Sequence, residues 1–327
     1  MNNTKERKKW VDVLRAIAMI LVVYGHRSSG WTEYFVFTSP IKIPLFFAVT
    51  GYVFNDANGN FTVFIKKLWR TIIVPWLVIA CLPYLMASPI KGIGFLKENL
   101  ISVLTGANYW YMPCCIAAEI LWFWILIYVK PIWLVGLITG MTFAAGMAMY
   151  ANSMLSVFMI NRAMTAQVFL FIGRLLRKYE ENIAHYLNRV PVLIGGTAVY
   201  ILLAVLTMRL YPGQCLDVHL CRYYNIPLCG AMIWIGIYVL AVLISRRITY
   251  HPRLLSLIGQ HTLVIYLMHQ YLLRVFEKGF FILHIPFNKF TNVFLTLFVC
   301  LAGAAISLAI NRFVPELMGK RRTRSHK

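Results

Sequence analysis

The stretch Trp10-Val11-Asp12-Val13-Leu14-Arg15-Ala16-Ile17-Ala18-Met19-Ile20-Leu21-Val22-Val23-Tyr24-Gly25-His26 is an apolar helix-forming run that carries two ionisable side chains, Arg15 and His26, within it. An arginine near the middle of a membrane helix costs about 2.5–3.5 kcal/mol on insertion scales, so an intramembrane charge is read as a functional residue unless something else explains it. At 1.5 Å rise and 100° per residue, the step from Arg15 to His26 is roughly 16 Å along the axis and about 20° around it. Both side chains therefore share one face of one helix, three turns apart. The spacing suits a long, thin ligand with a charged end and a reacting tip, and it predicts a continuous slot between the two residues.

Composition sets the class. Of the 327 residues, 60% are hydrophobic and 13% charged, and the mean hydropathy is +0.69. Such a chain is too apolar for a soluble globule and reads as an all-α, polytopic membrane bundle in the cell (plasma or inner) membrane. Apolar runs bounded by charge or by Pro, Gly and Asn lie at 10–27, 40–57, 69–88, 110–129, 131–150, 163–178, 190–210, 226–245, 254–275 and 291–314. They predict about ten transmembrane helices in a single domain over 1–327, with both termini cytoplasmic and a basic tail at 316–327. The second and sixth runs are short enough to be tilted, broken or re-entrant. With this topology, 21 of the 32 Lys and Arg residues fall inside, ten fall outside in loops (Lys42 among them), and Arg15 is within the membrane. That asymmetry follows the positive-inside rule.

The net charge of +21 is assigned to orientation signals and contacts with anionic membrane lipids rather than to nucleic acid, because the basic residues sit in short loops beside apolar spans. The first apolar run is long and lacks a small-residue cleavage site, so no cleavable signal peptide is expected. The seven cysteines show no metal-site spacing, and no metal is expected. Cys215 and Cys221 flank a predicted outer loop where an oxidising compartment would permit a disulfide, with Cys229 as a rival partner.

Five segments carry a family resemblance. Arg15, ten intervening residues and His26 come first. Pro44-Leu-Phe-Phe-Ala-Val-Thr50-Gly51-Tyr follows, with Thr50 where Ser is usual. Lys66-Lys67-Leu68-Trp-Arg70 before Pro75 has Leu68 in place of the first of two arginines. Asn108-Tyr-Trp110-Tyr111-Met-Pro113, with Glu119 two turns on, and Gly259-Gln-His-Thr262-Leu-Val-Ile-Tyr266-Leu-Met-His269 complete the set. In this order they are similar to the signature of the acyltransferase 3 family, integral-membrane enzymes that acylate cell-envelope sugars.

The resemblance implies an acyl-CoA donor, with acetyl-CoA the first expectation and succinyl open. The acceptor would be a hydroxyl of a cell-surface glycan or lipid-linked sugar. Arg15 would hold the charged part of the donor together with Lys66, Lys67 and Arg70. His26 would serve as general base or be acylated in turn, and Trp110, Tyr111, Glu119 and His269 would contact substrate.

Each residue also has a plainer reading. Arg15 can snorkel and pair with Asp12, and Asp12 can simply balance the helix dipole. Glu119 can pair with an arginine or orient His26. His269 can bind sugar or lock helices together, while Trp31, Tyr34, Trp110 and Tyr111 suit an interfacial belt as well as a sugar face. Two other functions fit ten spans with interior charges: a carrier of envelope glycan precursors, against which no repeat links the two halves, and a non-catalytic scaffold. Acceptor choice is expected from the loops 27–39, 89–109 and 211–225.

Overall fold

The computed structural model describes residues 9–27, 32–152, 154, 157–182, 190–210, 236 and 253–320. Within them it is all-helical: α1 (Lys9–Gly25), α2 (Thr32–Val53), α3 (Phe61–Leu68), α4 (Val74–Thr105), α5 (Tyr111–Tyr128), α6 (Ile132–Ala151), α7 (Ile160–Lys178), α8 (Val190–Leu210), α9 (Arg253–Gln260), α10 (Thr262–Ile282) and α11 (Lys289–Phe313). Helices occupy nine of the ten predicted runs; 226–245 and the Cys215–Cys221 pair lie outside the described residues. Six stretches among them are by themselves long and apolar enough to cross a membrane. α1 is not one of them, being 17 residues long and carrying both Asp12 and Arg15.

α1 is enclosed along most of its length. Nine of its 17 residues are buried, Asp12 included, because α2, α9, α10 and α11 all pack against it. Several of those contacts are backbone on backbone. A Cβ added at Gly259 would meet the Asp12 carbonyl oxygen at 1.8 Å, which fixes the approach of α9 to α1. The α2–α7 pair is built reciprocally: a Cβ at Gly51 would lie 2.0 Å from the Leu170 oxygen, and one at Gly173 would lie 1.9 Å from the Ala48 oxygen. Lipid tails are as apolar as Leu, so membrane helices associate through such small-residue contacts rather than hydrophobic contrast. Gln167 adds a polar tie, its buried Nε2 donating to the Ala118 carbonyl of α5 at 3.2 Å.

Three segments depart from the sequence expectation. α2 runs unbroken through Pro40 and Pro44, and α7 is also continuous. The irregularities fall in the third span, where a π turn, Trp69–Ile73, joins α3 to α4 and Gly92 breaks the helix at φ 87°. The stretch 89–109 is therefore mostly helix rather than loop. Its Ile90 and Ile93 are 91% and 79% exposed, an apolar surface suited to lipid. Lys42, counted as an outer-loop cation, is buried inside α2 with its Nζ about 3.1 Å from where a Gly25 Cβ would sit. The hydroxyl of Tyr34 reaches the Leu21 carbonyl, so the end of α1 is held by α2 rather than by a bulk interface.

Candidate active site

Arg15, Met19 and Val22 follow one another at helical spacing along one face of α1, His26 comes next in the turn that closes the helix, and every one of them lines a cavity. There are two such cavities rather than the single slot expected. Arg15 and Met19 open into a cavity of about 400 Å³, and His26 opens into one of about 120 Å³. Val22, Ile43, Tyr111 and Tyr266 line both, so these four side chains form the wall between them.

The Arg15 cavity is apolar with a few polar groups set into it. Phe64, Lys67, Leu68, Thr71 and Ile72 reach it from α3 and the π turn at spacings of three and four, one helical face. Lys66, Lys67 and Arg70 are all exposed, but Lys66 and Arg70 lie on the next face, and of the three predicted donor-binding cations only Lys67 lines the cavity beside Arg15. Glu119 is there too, where Arg15 and Lys67 both act on its carboxylate. Cys115 donates its thiol to Glu119 Oε1 at 3.6 Å. Glu119 thus sits with the cations and not with His26. Thr50 donates to the Phe46 carbonyl at 2.9 Å and lines the same cavity, which explains why a hydroxyl residue precedes Gly51. Two cations against one carboxylate favour an anion, such as a phosphate.

The His26 cavity is small and aromatic. His26 is exposed at its edge, while His269 is 2% exposed behind it, their ring centroids 4.7 Å apart. The Nδ1 of His269 bonds the Tyr266 carbonyl, and since a carbonyl only accepts, that nitrogen carries the hydrogen. Nε2 is then left as a bare acceptor, buried and without a hydrogen-bond partner in the structure. Asn108, Trp110 and Gln270 complete the polar side of the cavity, and the Arg162 guanidinium lies 4.7 Å over the Trp110 ring. Trp110, Tyr111 and His269 therefore line the same small cavity as His26. Arg27 pins the end of α1 to α10 through Glu277, 3.1 Å away, and packs over Phe287 at 5.0 Å.

Reading the sequence alone missed Tyr266 as a wall residue, Gln270, and Lys42, whose charge acts on His26 electrostatically. Tyr266 had a signal, its three-residue spacing from His269. Lys42 had none, because a lysine near a predicted helix end is indistinguishable from a loop cation. Among the described residues, no group of three or more His, Cys, Asp and Glu side chains is placed to hold a metal.

A helical bundle with long apolar spans, built around one charged helix that faces two internal cavities, defines an integral membrane protein. The family model described as an acyltransferase domain, acyltransferase 3, matches residues 8–312, and the chain belongs to that family of membrane acyltransferases. No curated protein and no solved structure matches it.

Proposed function

We propose that this enzyme transfers an acetyl group from acetyl-CoA on the cytoplasmic side to a hydroxyl of a cell-envelope sugar or lipid-linked glycan on the other side. What carries this reading is the placement of Arg15 and His26 in two adjoining cavities along a single face of α1. In the proposed arrangement the chain is one domain that crosses the membrane ten times with both termini cytoplasmic. Its basic tail contacts anionic lipid, and no nucleic acid takes part.

The Arg15 cavity holds the pantetheine arm, at a size within the range of ligand pockets. Arg15 and Lys67 face the donor's anionic part, and the exposed Lys66 and Arg70 meet phosphates at the cavity mouth. The acceptor hydroxyl binds in the His26 cavity, where Nε2 of His269 orients it and Trp110 offers a ring face. His26 takes the hydroxyl proton as the oxygen attacks the thioester carbonyl; the C–S bond breaks, the ester forms, and the proton passes to the departing thiolate.

Mass spectrometry of envelope glycans from cells carrying wild-type or His26→Ala protein tests the reading. Loss of acetyl groups with normal glycan export is the expected result. Loss of export with acetyl content per chain unchanged would instead make the protein a carrier, and no change in either would make it a scaffold.

A further inference from the structure

The wall between the cavities bears on which acyl groups can cross it, an inference that rests on the acyl transfer proposed above. Val22 is four residues before His26, which sits in the turn ending α1, so the wall lies about 6 Å from the imidazole's position along the axis. From α2 comes Ile43, and from α5 and α10 come Tyr111 and Tyr266, whose rings meet edge to face at 5.4 Å between centroids. The Tyr266 carbonyl holds His269. Tyr111 is further clamped by Phe46 and Phe47, at 5.9 and 5.3 Å. The wall is thus braced by three helices besides α1 and joined directly to the site's histidine.

We propose that Val22, Ile43, Tyr111 and Tyr266 act as a selective partition: it passes only a short acyl tip, and it keeps water in the His26 cavity away from the thioester. A thioester lodged in the Arg15 cavity needs to extend only its acyl end past the two tyrosine rings to come under His26. A longer acyl chain would have to stay folded against Met19 and Phe46 or force the rings apart. Each extra methylene in a confined apolar site discriminates by roughly tenfold or more. The same closure suppresses the side reaction in which water replaces the sugar hydroxyl, giving free acid and coenzyme A thiol.

The purified full chain in lipid nanodiscs tests both halves without a sugar acceptor, using acetyl-CoA and butyryl-CoA. Wild type is expected to bind acetyl-CoA more tightly than butyryl-CoA and to release thiol slowly from either. Tyr266→Ala and Val22→Ala should bring the two affinities together and raise thiol release several-fold, while Tyr266→Phe, which keeps the ring, should behave like wild type. If Tyr266→Ala does not fold, Val22→Ala carries the test alone, since it removes only two methyl groups. Variants that bind acetyl-CoA as wild type does, with thiol release and chain-length preference unchanged, would overturn the partition. Wild type that binds no acyl-CoA at all would instead remove the underlying donor assignment, and the partition with it.

Discussion

The two cavities on α1 differ as the two ends of an acyl transfer differ. The larger, beside Arg15, has two cations and a carboxylate embedded in an apolar surround, a site that grips a charged, flexible molecule along its length. The smaller, beside His26, is made of imidazole, amide and aromatic edges and has no cation in its lining, a site that reads the direction of a hydroxyl. Size and charge fall off together along one helix face. In the proposed arrangement α1 does not merely cross the bundle: it spans the donor from phosphate to carbonyl, with Val22 marking the boundary.

Removing the imidazole should break the comparison most severely. A positioned general base contributes about 10²–10⁴-fold, so His26→Ala should abolish detectable acetylation while leaving acetyl-CoA binding intact, as read by direct binding measurements on the purified protein. Comparable loss of binding would mean the two cavities are not functionally separate. Arg15→Ala comes next and in the opposite sense: binding of acetyl-CoA should weaken by about tenfold or more, because a charge-assisted hydrogen bond contributes roughly 1.5–3 kcal/mol. Arg15→Lys should restore only part of it, since an ammonium lacks the planar fork.

These contrasts were partly legible in the sequence. That Arg15 and His26 share a face followed from eleven residues of helical rotation, and the helices around them followed from the apolar runs. The motif glycines were visible as motif, yet their work was not: Gly51 and Gly259 matter because Leu170 and Asp12 backbones lie against them, and such contacts join residues more than a hundred positions apart. The division into two cavities was equally hidden. It depends on where Tyr111 and Tyr266 meet, and no periodicity within either helix encodes their meeting. Lys42 shows the reverse failure, since sequence treats a lysine near a helix end as solvated, whereas here α1 and α2 bury it. Glu119 was open between two partners, and only tertiary structure puts it with Arg15 and Lys67.

A test of the scaffold rather than the chemistry is Gly51→Val. The new side chain has no room against the α7 backbone, and overpacking of this kind costs about 1–3 kcal/mol, occasionally more. Thermal unfolding in detergent should shift downward, and the residual folded protein should lose ligand binding at both cavities together, because α2 supplies walls to each. Selective loss at one cavity would show that α2 can move without disturbing the other.

The smallest effect should come from Lys66 and Arg70, and it sharpens where the Arg15 cavity ends. Like Lys67 they are exposed, but they lie on the helix face next to the one that lines the cavity. Their pull on a donor phosphate acts through solvent and is screened over about 10 Å at 0.1 M salt. Lys66→Ala should therefore weaken acetyl-CoA binding only a few-fold at low salt and scarcely at high salt, whereas Lys67→Ala, which removes a cation that lines the cavity, should weaken it more at each salt concentration. Equal losses in the two variants would mean that lining the cavity gives Lys67 no closer hold on the donor than Lys66 has at its mouth, and the anionic end of the donor would then stop short of Arg15.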